Sequence, residues 1–367
     1  MMEYNSTEMK LIVAGIMLGL TFTCSALYLI KSRNTLPQQK VITILPTITP
    51  PQLEDIVGQR FIWGVAGTSI SGDTAHLISS THAGGVILME NQTSMNIASM
   101  TAQIRELPHT LPFIIAIDQE GGDVRRMTDD DNPGGLELGN MTDENFCSIV
   151  TNTNTKLSNA GVNTNFGIMG DIGWTTGSYI TKRTYGNTLE SVLAKIPLSI
   201  RCSKPMITTI KHFPGHGRTS LNSHRTIPSI KTTYEAWKTS DAQPFLQSIQ
   251  HGVDIVMFGH LRYESIASEP ATLSPFFHTY LRENGFQGLT ITDDLGMLDI
   301  SALDPIQTMK QAFNAGNDLL LYTTSSVDSN DIYKEALLYA TSSADIYDSF
   351  RKHYDHIQLF KQQRLTN

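Results

Sequence analysis

Eight short apolar runs recur along the chain, and most are followed by a segment long enough to be a helix. The pattern predicts strands over Phe61 to Ala66, Gly85 to Met89, Phe113 to Asp118, Thr164 to Ile168, Thr208 to His212, Ile255 to His260, Leu289 to Asp293 and Asp318 to Tyr322. Thr93 to Leu107, Thr188 to Ile200, Tyr234 to His251 and Ser274 to Asn284 lie between them and have helix length. Strands that are apolar throughout are buried on both faces, which calls for a parallel sheet covered by helices. Eight such units suit closure into a (β/α)8 barrel, and an open doubly wound sheet fits the periodicity nearly as well. The polar residues favour the barrel. Asp118, Lys211, His212, His260 and Asp293 all fall at the carboxyl ends of predicted strands. A closed barrel brings those ends to one mouth, where opposite charges can pair instead of being buried singly.

Nucleotide chemistry fits poorly. No dinucleotide glycine fingerprint follows the first strand, and HFPGHGRTS lacks the lysine of a phosphate-binding loop. A net charge of -8 argues against a nucleic-acid partner, which would need a clustered basic surface. Cys24, Cys147 and Cys202 are odd in number and far apart, so unpaired buried thiols are expected, with no metal-ligand spacing.

Residues 1–33 read as a separate object. Leu11 to Ile30 carries no charge over twenty residues, enough helical rise to cross a bilayer's hydrocarbon core. A membrane anchor is the leading reading, with a cleaved signal segment as the rival. Lys31, Arg33 and Lys40 after the span, against Lys10 before it, lean towards a cytoplasmic barrel but leave the membrane side open. Residues 34–52 are proline-rich and read as a semi-extended linker. One catalytic domain is expected over 53–367.

Three segments carry the chemistry. In the first, TTIKHFPGHGRTSLNSH, a β-branched run leads into Lys211 and His212, and Pro214, Gly215 and Gly217 then forbid regular structure. His212 and His216 stand four apart, as in helical zinc motifs, but the proline and glycines exclude the helix that would align their rings. In the second, FIIAIDQEGGDVRRM, Asp118 closes a strand, two glycines turn the chain and Arg126 follows. A turn aspartate bonded to local amides is the competing reading for Asp118. In the third, GFQGLTITDDLGM, Asp293 ends a buried run; a helix cap or a hard-metal ligand are the competing readings.

Taken together, KHFPGHG with its following S-H pair, D-Q-E-G-G-x-V-x-R, K-R-T-Y-G and T-D-D-L-x-M resemble the motifs of glycoside hydrolase family 3, single-domain bacterial β-N-acetylglucosaminidase type. The resemblance runs from about Leu53 to beyond Tyr322. It implies a TIM-type barrel that uses no cofactor or metal and acts on β-N-acetylglucosaminides or muropeptides. It further implies that Asp293 is the nucleophile, that Asp118, Arg126, Arg183, Lys211 and His212 hold the sugar, and that His224 is the acid/base. The family places an aspartate two residues before that histidine, where this chain has Asn222. An amide oxygen can orient the ring but lends no negative charge to favour imidazolium, so a slower or specialised enzyme is expected. Phosphorolysis at the same site and a catalytically weak, membrane-tethered amino-sugar binder are the alternatives. The sequence says nothing of oligomeric state.

Overall fold

The eight runs form eight parallel strands: β1 (Phe61–Val65), β2 (Gly85–Leu88), β3 (Ile114–Ile117), β4 (Thr164–Met169), β5 (Ile207–Phe213), β6 (Ile255–Phe258), β7 (Leu289–Thr292) and β8 (Leu320–Tyr322). The computed structural model describes residues 50–223, 225–299 and 303–366. The predicted span over residues 11–30 and the catalytic candidate His224 therefore lie outside the described residues.

Neighbouring strands pair in chain order, and β8 pairs with β1. One parallel bridge, Ile291 to Leu319, joins the remaining edges, where the Thr292 N–H donates to the Leu319 carbonyl at 3.1 Å. The sheet is thus a nearly closed barrel rather than an open doubly wound sheet. Alternation along each strand separates its two faces. On β1, Ile62 points into the barrel with Ile87, Ile114 and Phe166, while Phe61 and Trp63 face the helical layer. The final helix, Ala344–Leu365, adds Ile357 and Phe360 to the interior cluster. Several of its polar residues bond to positions at the amino ends of strands: His353 and His356 to Asp318, Lys361 to Gln59 and Gly84, and Arg364 to Asp254. That end is plugged, which leaves the carboxyl ends for chemistry.

Two expectations are corrected. The segment Tyr234 to His251 is not one helix but two, Tyr234–Thr239 and Gln243–Gln250. Pro244 lacks an N–H and its ring would meet the carbonyl four residues back, so it favours the first turn of a new helix, where it stands. Cys147 and Cys202 are joined as a disulfide rather than left as separate thiols. The helices that carry them, Asp143–Asn159 and Leu189–Ser203, pack side by side on the same flank of the barrel. Their Cα atoms come within 5.4 Å, a bridging distance that a separation of 55 residues in sequence could not disclose.

A buried imidazole makes stability sensitive to acid. His278 stacks on Phe258 at 3.9 Å between ring centres, and neither ring nitrogen has a hydrogen-bond partner among the described residues. Burial, only partly opposed by Asp318, pushes its pKa down to about 3. An unfolded imidazole titrates near 6.5, so unfolding takes up a proton between those values and stability falls as the pH drops through that window. The loss is about 1.4 kcal/mol per pH unit from this group. Urea titrations of His278→Phe between pH 6.5 and 4 are expected to show a flatter decline than the parent; parallel slopes would refute the assignment.

Candidate active site

The carboxyl ends of the strands surround a cavity of ≈ 480 Å³. Asp118, Arg126, Arg183, Lys211, His212 and Asp293 all line it. Asp118 follows β3, Lys211 and His212 close β5, and Asp293 follows β7. Arg183 comes from the loop between β4 and the helix Leu189–Ser203. Arg126 returns to the mouth through a tight turn at Gly121, where φ is +93° and a Cβ would stand 2.2 Å from the Pro133 carbonyl. The Gln119 side-chain oxygen holds that loop, accepting from the backbone N–H groups of Arg126 (2.8 Å) and Met127 (2.9 Å).

Charge pairing organises the floor. Arg183 donates to Glu120 through Nε and Nη2, each at 2.8 Å, in a bidentate fork. Lys211 Nζ lies 2.6 Å from Glu120 and 2.7 Å from Asp118. Burial pushes the Glu120 carboxyl up, but the charges and hydrogen bonds of Arg183 and Lys211 outweigh it and hold the group well below the usual carboxylate range. The same carboxylates overcome burial at Lys211 and raise its pKa, so both cations stay charged. His212 Nδ1 lies 2.7 Å from Asp171, which is fully buried and also accepts the His216 backbone N–H at 2.6 Å.

Asp293 takes its position from the barrel edge: its N–H donates to the Phe258 carbonyl at 2.8 Å. Asp294 turns away towards β8, accepting from the Thr323 N–H at 2.9 Å, from the Thr323 hydroxyl, and from the Gly296 N–H at 3.1 Å. Burial, with the Asp293 charge adding to it, pushes Asp294 up to about 6. His260 does not join the cavity as expected. It is buried beneath it, Nε2 at 2.8 Å from the Asp294 carbonyl and Nδ1 at 2.9 Å from the Thr272 hydroxyl, so it supports the turn after the nucleophile candidate. Asn222 lies outside the cavity lining.

Residues 52–350 match the glycosyl hydrolase family 3 N terminal domain. The chain belongs to glycosyl hydrolase family 3. Among family members, a β-hexosaminidase of Nitrosospira multiformis is 30% identical over 276 residues, covering 71% of this chain and 79% of its own. The β-hexosaminidase of Neisseria meningitidis serogroup B is 29% identical, over 65% of this chain and 70% of its own. A solved family 3 β-N-acetylglucosaminidase from Paenibacillus sp. str. FPU-7 superposes with a TM-score of 0.77 at 28% identity. It covers 85% of this chain, which spans 63% of that longer one.

Within this family 3 barrel, sequence reasoning missed two buried acids. Glu120 lies two residues after Asp118, so in extended chain both point the same way, a signal that period-two reading would have found. Asp171 follows β4, which ends at Met169, one residue beyond the predicted Ile168, so it stands too far past the predicted end to read as a strand-end acid. Arg183, which could have been half of a surface basic pair with Lys182, is buried against Glu120, while Lys182 is exposed.

Proposed function

We propose that this chain is a retaining β-N-acetylhexosaminidase that removes terminal β-linked N-acetylglucosamine from cell-wall fragments. The observation that carries the reading is that Asp293 shares one cavity with Asp118, Arg126, Arg183, Lys211 and His212. Asp118 accepts sugar hydroxyls, and the Lys211, Arg183 and Arg126 cations and His212 complete the grip on the ring. Glu120 keeps Lys211 and Arg183 charged and in place before substrate arrives. Asp293 then attacks the anomeric carbon as the bond to the leaving oxygen breaks, and that oxygen takes a proton from His224. In the second step His224 takes a proton from water, the water oxygen bonds to the anomeric carbon, and Asp293 leaves as carboxylate.

Preference for the 2-acetamido group is supported by the motif resemblance and by the relatives, which are named as β-hexosaminidases and a β-N-acetylglucosaminidase. Rates on chromogenic N-acetylglucosaminide and glucoside test it. A higher kcat/KM on the N-acetylglucosaminide is expected, and equal or faster cleavage of the glucoside would overturn the substrate class. Release of free N-acetylglucosamine from a muropeptide digest tests the cell-wall assignment; an unchanged digest contradicts it.

The chain's own departure at Asn222 predicts a gain. A carboxylate there would favour imidazolium at His224, so Asn222→Asp should speed cleavage of a poor leaving group. Equal rates for the two proteins would remove Asn222 from the explanation. The reading also includes anchoring through residues 11–30, with the barrel on an oxidising side of the membrane, which the Cys147–Cys202 disulfide supports against the count of flanking charges. Alkylation of intact protein without reductant should leave both cysteines unmodified; labelling of both would contradict that placement.

A further inference from the structure

The loop after β5 is gripped along its first half and exposed along its second, with one exception. Trp237 Nε1 donates to the Pro214 carbonyl (3.0 Å), the Tyr263 hydroxyl to the Gly215 carbonyl (2.6 Å) and Arg218 Nε to Asp241 (2.6 Å). Gly217 passes so close to β4's continuation that a Cβ would stand 1.6 Å from the Ile172 carbonyl. Ser220, Leu221, Arg225 and Thr226, by contrast, face solvent, and Leu221 is 51% exposed. Ser223 in their midst is only 6% exposed, and its Oγ lies 3.0 Å from His216 Nε2. His216 is itself 2% exposed and is tied by its backbone N–H to Asp171, which also holds His212. An unbroken chain of polar contacts thus runs from the cavity wall through Asp171 and His216 to the residue immediately before His224.

We propose that His216 and Ser223 form a latch that sets the position of the segment bearing the acid/base His224, making both of them positioning residues for proton transfer. The inference rests on the retaining-hydrolase reading and adds to it the means by which an exposed loop is held in register with a rigid barrel. A serine, a histidine and an aspartate this close invite comparison with a hydrolytic triad, and the geometry excludes it. Asp171 accepts from the His216 backbone and from His212, whereas His216 Nδ1 has no partner among the described residues. Neither Ser223 nor His216 lines the sugar cavity. Burial, with Asp171 partly opposing it, pushes His216 down to about 4, so its ring stays neutral near neutral pH and the latch does not open there by protonation. Either ring nitrogen or hydroxyl can donate, so the contact survives in either tautomer.

A latch differs from mere packing in what its loss does. Freeing the segment burdens only the step that needs His224, because ordering a loose loop must then be paid at the moment of proton transfer. On the full chain, Ser223→Ala is expected to cut kcat/KM for an alkyl N-acetylglucosaminide, which needs a proton on its leaving oxygen, by roughly 10- to 100-fold. An activated dinitrophenyl substrate, which needs none, should change less than about threefold. His216→Ala should match it, the double variant should be no worse than either single one, and His216→Gln, which keeps an amide near Nε2, should recover part of the rate. Where the parent cleaves both substrates, equal losses on the two, or no loss on either, overturns the latch. Hydrogen exchange reads it independently of activity: Ser223→Ala should raise exchange over residues 219–226 and leave β5 unchanged. Unchanged exchange there refutes the latch even in an active enzyme, while raised exchange in a chain that cleaves neither substrate would keep the latch and sink the hydrolase reading.

Discussion

Asp293→Ala is expected to lower kcat on N-acetylglucosaminides by roughly 10⁴- to 10⁶-fold, the scale on which removing a covalent nucleophile acts. The backbone of Asp293 is held by its N–H bond to the Phe258 carbonyl, which alanine keeps, so the cavity should persist around an empty space the size of a carboxylate. A small anion can fill that space from the same face. Added azide should therefore restore turnover and give a glycosyl azide with the anomeric configuration opposite to the substrate's, visible by NMR. Steady-state rates with and without azide check it. An alanine variant that keeps more than about a hundredth of the parent rate would show that the bond-forming carboxylate lies elsewhere.

Glu120→Ala should be the most damaging change to the folded state at the site. Glu120 is buried and receives Arg183 twice and Lys211 once, so its removal strands the buried Arg183 and leaves Lys211 with Asp118 alone. Breaking one side of such a buried pair costs about 3–5 kcal/mol. Because the folded carboxyl lies below its unfolded value, its contribution is present above roughly pH 4.3 and fades as the pH falls through the folded value. Urea denaturation at pH 7 measures the loss, and Glu120→Gln, which keeps the shape without the charge, should fall between the two. A change under about 1 kcal/mol in Glu120→Ala would mean that Arg183 and Lys211 find other partners.

Much of the architecture was legible because the strands are apolar along their whole length. Each predicted run overlaps an observed strand, and the polar residues just past their ends collect at one mouth, as a barrel requires. What could not be read depends on contacts between distant segments. The disulfide joins two helices whose adjacency is a consequence of the barrel's winding, and the plug at the barrel's other end is made by a helix whose named partners sit at the amino ends of four different strands. Asp171 carries no local motif; its meaning comes from His212 and His216 converging on it. His260 shows the opposite error, a strand-end histidine that the pattern places in the site but packing turns beneath it, onto Thr272 and Asp294.

The central claim is that Asp293 forms a bond to a bound amino sugar. The most direct measurement is to incubate the full chain with an activated fluorinated N-acetylglucosamine analogue, whose glycosyl-enzyme forms faster than it breaks down, and to locate the added mass by peptide mapping. The account predicts one sugar per chain on the peptide containing Asp293 and none in Asp293→Ala. A label on any other residue, or no label at saturating analogue in a chain that still cleaves substrate, would contradict it.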